Sequence, residues 1–325
     1  MLAFFASSQP CHWERSAAIS RPLPQFPSRL PRPQTRSLRA QRGNLRKPLN
    51  RCHRPEIFLN RLNFVKISNM TEAINQGYIK SDVQDGLAEI EFFHPLSNSL
   101  PSRLLKELAE AITAAGQDED VKVILLKSAG ERAFCAGASF DELISIADIE
   151  QGKKFFSGFA NVINAMRKCP KFIVGRVHGK AVGGAVGLAS SVDYCFATKH
   201  ASVKLSELAV GIGPFVVGPA VERKIGLSGM SELAINATEW RDAEWAHQRG
   251  LYYHLHETIA EMDNEIAALV NRLKGFNPAA MRQLKEVFWQ GSENWDQLLA
   301  DRAAISGELV LSEFTRKAIQ SFKKK

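Results

Sequence analysis

The stretch VHGKAVGGAVGLASSVD, residues 177–193, decides the fold class. Its glycines stand at 179, 183, 184 and 187, and the run before it, KFIVGRV, is short and mostly apolar, as in a buried strand. The run AVGLASS after Gly184 favours a helix because it contains no proline. A strand, a glycine turn and a helix leave backbone N–H groups unpaired at the helix start. Such groups bind anions or a carbonyl oxygen that becomes negative. A tight packing turn accounts for the same residues equally well.

A second turn of the same kind lies upstream. GERAFCAGASFDEL, residues 130–143, follows the apolar run VKVILLKS just as the first turn follows KFIVGRV. Two strand ends that each offer one N–H to the same oxygen form a two-donor oxyanion hole. Cys135 has no histidine or acid in a recognisable partner motif, so we expect a buried structural residue rather than a nucleophile.

Strands and helices alternate around both turns. YIKSDVQ and LAEIEFF alternate apolar and polar residues on either side of Asp85-Gly86, the pair typical of a two-residue hairpin. Apolar residues at helical spacing predict one helix that begins near Pro101 and another over 152–168. This alternation predicts an α/β layer architecture. After Pro214 the pattern predicts helices over 214–225, 228–237, 242–249, 258–273, 278–290, 295–306 and 308–322.

Composition excludes several classes of protein. The 325 residues are 45% apolar, which is ordinary for a chain with a sizeable core, and no apolar run is long enough to span a membrane. The five cysteines are scattered, without metal-ligand spacing, which indicates a reduced compartment and no structural zinc. The glycines match neither a phosphate-binding loop nor a dinucleotide fingerprint. No metal site is expected.

The net charge of +8 is unevenly distributed. Residues 1–69 carry thirteen Arg and Lys against two Glu, together with eight of the fourteen prolines, whereas the remainder is mildly acidic. This composition predicts a disordered leader. We expect that the start site is assigned too far upstream and that the protein begins at Met70. The alternatives are a transit peptide, which the prolines disfavour, and a nucleic-acid-binding arm, which is weakly supported because few aromatic residues are interleaved.

Three motifs together resemble a known family. AFCAGASFDEL, then VHGKAVGGAVGL, then KLSELAVGIGP are similar in order and spacing to the crotonase (enoyl-CoA hydratase/isomerase) superfamily, and the resemblance covers residues 78–322. It implies a core of ββα turns wound into a spiral, with a C-terminal helical region that packs trimers or hexamers. It also implies substrates bound as coenzyme A thioesters, with no separate cofactor, no nucleic acid and no membrane partner.

Carried over position by position, the resemblance implies the two oxyanion-hole donors. The first is Ala138, after Ala136-Gly137, and the second is Gly184, after Gly183. A proton removed or added beside a thioester builds negative charge on the carbonyl oxygen, which explains the need for two donors.

The same resemblance places the catalytic acid/base on Glu207. Leu205 and Leu208 flank it, so we expect a partly dry carboxyl with a raised pKa. Hydratases of the family usually have a first catalytic glutamate at the position of Gly187. This sequence departs from the family pattern because it has glycine there. Family isomerases with a single glutamate are known, yet the motifs also resemble bacterial hydratases similar to methylglutaconyl-CoA hydratase.

Hydration of a 2-enoyl-CoA, in fatty-acid or branched-chain amino-acid breakdown, is therefore expected slightly ahead of Δ3,Δ2-enoyl-CoA isomerisation. Asp141 or Glu142 would hold the water. A family member that binds acyl-CoA without turning it over is the alternative of a different class.

The remaining assignments concern single residues. Arg132 is expected to contact coenzyme A phosphates, and Lys285 to reach the nucleotide of a neighbouring subunit; a solvated charge is the alternative for each. Ser139 stands where many relatives have Asp, and His178 is expected to have a structural hydrogen-bonding role.

Three segments are predicted: a leader over 1–69, a crotonase core over 70–265 and a C-terminal helical region over 266–325. We expect a cytoplasmic protein, or one of the mitochondrial matrix if the leader is a genuine transit peptide.

Overall fold

Two β-sheets organise the part of the chain that the structure, a computed structural model, describes, residues 76–323. The larger sheet has the order β1-β2-β3-β5-β7-β10 and the smaller the order β4-β6-β8-β9. The strands are β1 (Tyr78–Gln84), β2 (Leu87–Phe93), β3 (Val123–Ser128), β4 (Ala133–Cys135), β5 (Phe172–Val177), β6 (Lys180–Val182), β7 (Tyr194–Thr198), β8 (Ser202–Lys204), β9 (Arg241–Asp242) and β10 (His254–His256).

The hairpin that opens the larger sheet is confirmed. β1 and β2 pair antiparallel, and Asp85 and Gly86 between them have φ values of 48° and 76°. A two-residue turn of this type requires positive φ at both positions, which Asp-Gly adopts readily. All the later strands of this sheet pair parallel to their neighbours.

Helices cover the sheets and form most of the C-terminal part. They are α1 (Ser102–Gln117), α2 (Phe140–Ser145), α3 (Ile149–Lys168), α4 (Gly184–Ser191), α5 (Gly218–Ile235), α6 (Ala243–Gln248), α7 (Ile259–Lys274), α8 (Pro278–Phe288), α9 (Trp295–Leu309) and α10 (Glu313–Lys323). The α/β class expected from the sequence is confirmed.

Several helix bounds differ from the prediction for local reasons. α3 begins three residues early because the Asp148 side chain accepts a hydrogen bond from the Gln151 N–H and caps the helix. The two helices expected over 214–237 form a single element, α5, which begins at Gly218 and is interrupted at Gly226, where φ is 74°. The short strands β9 and β10 were not expected in this part of the chain.

The smaller sheet positions three turns side by side. β4, β6 and β8 run parallel, so their carboxyl ends meet at one edge. The chain leaves them through Ala136-Gly137-Ala138, through Gly183-Gly184 and through a turn that contains Glu207. The residues singled out in the sequence therefore converge.

The C-terminal helices share the main core. Leu299 and Ala303 of α9 are buried in the same apolar cluster as Val162 and Ile163 of α3. The expected segment boundary after residue 265 falls inside α7, and the expected leader lies outside the described residues. Among residues 76–323, no helix has both the length and the apolar character needed to cross a membrane.

Candidate active site

The first two turns touch each other. Gly137 has φ 89°, and a Cβ atom there would lie 2.9 Å from the Val182 carbonyl oxygen and 3.7 Å from the Gly184 nitrogen. Gly183 has φ 56° and is the N-cap residue that precedes helix α4. Glycine is required at 137 both for the left-handed backbone and for this close approach.

Two backbone amides at these turns remain available to a ligand. Leu100 pairs with the strand end at Ala138 by donating to the Gly137 oxygen and accepting from the Ser139 nitrogen, so the Ala138 N–H takes no part. Gly184 is the first residue of α4, where N–H groups lack intrahelical acceptors. Neither amide donates in the hydrogen bonds of loops and turns within residues 76–323. The pair has the composition of an oxyanion hole.

Glu207 lies directly against the second of these turns. A Cβ atom on Gly183 would be 3.0 Å from Glu207 Oε1. The backbone of Glu207 is held by its own turn, since the Val210 and Ile212 nitrogens donate to its carbonyl oxygen at 3.2 and 3.0 Å. The carboxyl group therefore faces the Gly183-Gly184 backbone.

Burial dominates the electrostatics of Glu207. Its Oε2 is buried without a hydrogen-bond partner among the described residues, and burial raises the pKa of the carboxyl from 4.5 to about 7, against a smaller lowering by a backbone hydrogen bond. Leu205 is buried, as expected, whereas Leu208 is 51% exposed and does not contribute to drying the site. A carboxyl with this pKa exchanges protons near neutral pH.

A mostly apolar cavity of ≈ 170 Å³ joins these groups. Its polar side chains are Ser206, Glu207 and Ser306, and Ala136, Gly137, Ala138, Gly183 and Gly184 supply backbone. The apolar lining includes five phenylalanines, namely Phe140, Phe155, Phe156, Phe159 and Phe215. Phe155, Phe156 and Phe159 belong to the apolar residues whose helical spacing predicted the helix over 152–168, and that spacing gave no sign that they also face a cavity.

Neighbouring side chains occupy the space that a glutamate at position 187 would need. Gly187 is buried in α4, and a Cβ atom there would lie 2.6 Å from Cγ1 and 2.8 Å from Cβ of Val217. Val217 itself lines the cavity. The space that a side chain at 187 would need is therefore filled rather than empty, which the sequence did not reveal.

The residues proposed to hold a water molecule lie elsewhere. Neither Asp141 nor Glu142 lines the cavity. Asp141 is exposed, and Glu142 Oε2 accepts hydrogen bonds from the backbone nitrogen and the hydroxyl of Ser102, at 2.9 and 2.6 Å. Glu142 thereby caps α1, so the structure contradicts a role for it in the cavity.

Lys285 also differs from both of its expected roles. It is 2% exposed, and its Nζ donates to Asp193 Oδ2 and to the Lys171 carbonyl oxygen, each at 2.8 Å. Asp193 in turn accepts from the Ile173 nitrogen at 2.8 Å. Within this subunit the Lys285 ammonium is a buried structural cation and neither a solvated charge nor one that projects from the surface toward a nucleotide.

Four further residues occupy places near the turns. Arg132 is exposed and forms no ion pair within the described residues, and the Ser139 side chain caps α2. Burial raises the pKa of Cys135 to about 12, which suits a structural residue. His178 is buried, its carbonyl oxygen accepts from Thr198, and burial lowers its pKa to about 4; it does not line the cavity.

Comparison with known proteins fits this arrangement. Residues 82–325 match the family model described as enoyl-CoA hydratase/isomerase. The chain belongs to this family. The crotonase-like fold is confirmed by a crystal structure of enoyl-CoA hydratase from Bacillus halodurans, which is 20% identical with a TM-score of 0.70 over 75% of this chain and 99% of that one.

Curated relatives of this crotonase-family chain include proteins with different reactions. A short-chain-enoyl-CoA hydratase of Clostridium acetobutylicum is 29% identical over 69% of this chain and 86% of its own length. A peroxisomal Delta(3,5)-Delta(2,4)-dienoyl-CoA isomerase of Arabidopsis thaliana is 26% identical over 69% and 84%. A mitochondrial methylglutaconyl-CoA hydratase of Mus musculus is 32% identical over 60% and 63%. Family membership therefore leaves the reaction open.

Proposed function

We propose that the cavity binds the acyl group of a coenzyme A thioester and that Glu207 transfers a proton next to the thioester carbonyl. The Ala138 and Gly184 amides would hold the carbonyl oxygen as it becomes negative, and Glu207 lies against the same turn. Removal of one such donor in other enzymes costs about 3 kcal/mol of barrier height.

The reaction that this geometry supports best is double-bond isomerisation, 3-enoyl-CoA to 2-enoyl-CoA. Glu207 would take a proton from C2, the electron pair would pass through the dienolate held by the two amides, and the same carboxyl would return a proton to C4. The observation that carries this choice is that Glu207 is the single carboxyl group lining the cavity among residues 76–323. Val217 fills the space of a second one.

Hydration remains the second candidate. It is favoured by the similarity to the Clostridium hydratase over 86% of that protein's length. It was also slightly preferred from the sequence, where Asp141 or Glu142 was expected to hold the water. Neither residue is among those that line the cavity, so this argument for hydration carries less weight.

The size of the cavity favours a short acyl group. An engineered cavity of about 150 Å³ in another protein accommodates benzene, so ≈ 170 Å³ suits an acyl chain of roughly six carbons. Five phenylalanine rings line this space.

The decisive assay offers the purified protein 3-hexenoyl-CoA and, separately, crotonyl-CoA, and follows the absorbance of the conjugated thioester. We expect absorbance to rise with the first and to stay constant with the second. A fall with crotonyl-CoA would favour hydration. Tight binding of both esters without turnover would favour a binding protein, and Glu207→Gln should abolish any catalysed change.

A further inference from the structure

The C-terminal helix α10 reaches the turn that carries Glu207. Thr315, in the first turn of α10, is completely buried, although most of this helix is exposed or half-buried. Its hydroxyl donates to the Gly211 carbonyl oxygen at 3.2 Å and accepts from the Ser312 hydroxyl at 3.0 Å. A residue more than a hundred positions along the chain is thus bonded to the backbone four residues after the proposed base.

The contact is close as well as polar. Gly211 has φ 84°, and a Cβ atom there would lie 2.5 Å from Thr315 Oγ1 and 2.5 Å from Phe314 Cδ1. Helix α10 therefore lies directly on the Gly211 backbone. The next residue, Ile212, donates its N–H to the Glu207 carbonyl oxygen at 3.0 Å, so one hydrogen bond links the residue after Gly211 to the Glu207 backbone.

An apolar cluster links the same helix to the first oxyanion turn. Ile319 of α10 is buried together with Val310 and Ile212. Leu143 and Ile144 pack against this cluster from α2, which begins two residues after Ala138. Helix α10 thereby contacts the elements that follow both the amide donor and the proposed base.

We propose that Thr315 is a positioning residue that holds the 207–212 turn, so that the Glu207 carboxyl stays aligned with the Ala138 and Gly184 amides. The inference rests on the proposed function, because alignment matters only if Glu207 transfers a proton. Errors of about 1 Å in the placement of a catalytic group cost up to about a hundredfold in rate.

Thr315→Val tests this role because it removes the hydroxyl and keeps the side-chain volume. We expect kcat to fall about tenfold, KM to change less than twofold, and the midpoint of the acid limb of the kcat profile to move. Thr315→Ser should restore kcat to within twofold. Thr113→Val is the control, since the Thr113 hydroxyl also bonds a backbone carbonyl but lies on the exposed surface of α1.

A second measurement needs no substrate. Hydrogen exchange of the Val210 and Ile212 amides should accelerate at least tenfold in Thr315→Val and remain at the wild-type rate in Thr315→Ser and Thr113→Val. Unchanged exchange, or faster exchange with wild-type kcat, would overturn the positioning role. If the wild-type protein turns over no acyl-CoA, the proposed function fails. Hydrogen exchange needs no substrate, so it still tests whether Thr315 holds the 207–212 turn and thereby distinguishes failure of the proposed function from failure of the positioning role.

Discussion

Glu207→Gln should stabilise the protein at pH 8 while it abolishes turnover. Burial raises the pKa of the Glu207 carboxyl from 4.5 to about 7. Because each pKa unit corresponds to 1.36 kcal/mol, the ionised side chain costs the folded state about 3 kcal/mol. This is an upper value, since the residue is not completely enclosed and solvent screens part of the charge.

The sign of the effect follows from linkage. The pKa of the carboxyl is higher in the folded than in the unfolded chain, so the folded state binds the proton more strongly. The contribution of Glu207 to stability is complete below pH 4.5 and is lost as the pH rises through about 7. The glutamine side chain does not ionise, so its contribution to the free energy of unfolding does not change across this pH range.

Urea unfolding at pH 5 and pH 8 measures the difference. At each pH, the stabilisation is the free energy of unfolding of Glu207→Gln minus that of wild type. This stabilisation should be about 2–3 kcal/mol larger at pH 8 than at pH 5. Glu131→Gln, which changes an exposed carboxylate near the first turn, should show no such difference. Equal effects of Glu207→Gln at the two pH values would refute the buried, proton-binding state of this carboxyl.

Three other outcomes are expected. If ionised Glu207 is the base, kcat/KM should rise with pH and be half-maximal near pH 7, as a pH profile with 3-hexenoyl-CoA would show. Gly184→Ala would place a Cβ 2.3 Å from the Phe159 ring, beside the proposed amide donor. We expect kcat to fall about a hundredfold or more, while circular dichroism shows that the fold is retained. Lys285→Met leaves a buried aspartate unpaired and should cost about 3–5 kcal/mol in urea unfolding, whereas Lys80→Met, at an exposed ion pair, should cause no measurable change.

Local chemistry explains what the sequence predicted well. Asp85-Gly86 favours its hairpin by backbone preference, and both turns proposed to form the oxyanion hole are marked by glycines at strand ends. Gly137 and Gly183 have positive φ, a conformation that favours glycine, so the residue type alone indicated the two turns. The raised pKa of Glu207 was also expected, although Leu208 turned out to point to solvent.

Contacts between distant segments account for what the sequence did not predict. In the sequence Lys285 resembles an exposed lysine on a helix face. In the structure α8 packs against the larger sheet, and Lys285 is buried in an ion pair with Asp193. In the sequence Glu142 is close enough to Ala138 to reach the cavity. In the structure its carboxylate instead accepts hydrogen bonds from Ser102 at the start of α1. β9 has two residues and β10 three, too few for an alternating apolar pattern to indicate a strand.

The number of carboxylates in the cavity depends on packing as much as on the residue at 187. Helix α4 lies so close to its neighbours that a Cβ at 184 would enter the Phe159 ring and one at 187 would enter Val217. A glutamate introduced at 187 alone would therefore have to displace Val217 before its carboxyl reached the cavity. Overpacking of this kind typically costs about 1–3 kcal/mol. The packing around Gly187 is thus consistent with the proposed one-base chemistry at Glu207, and a second carboxylate at 187 would require Val217 to move or to be replaced.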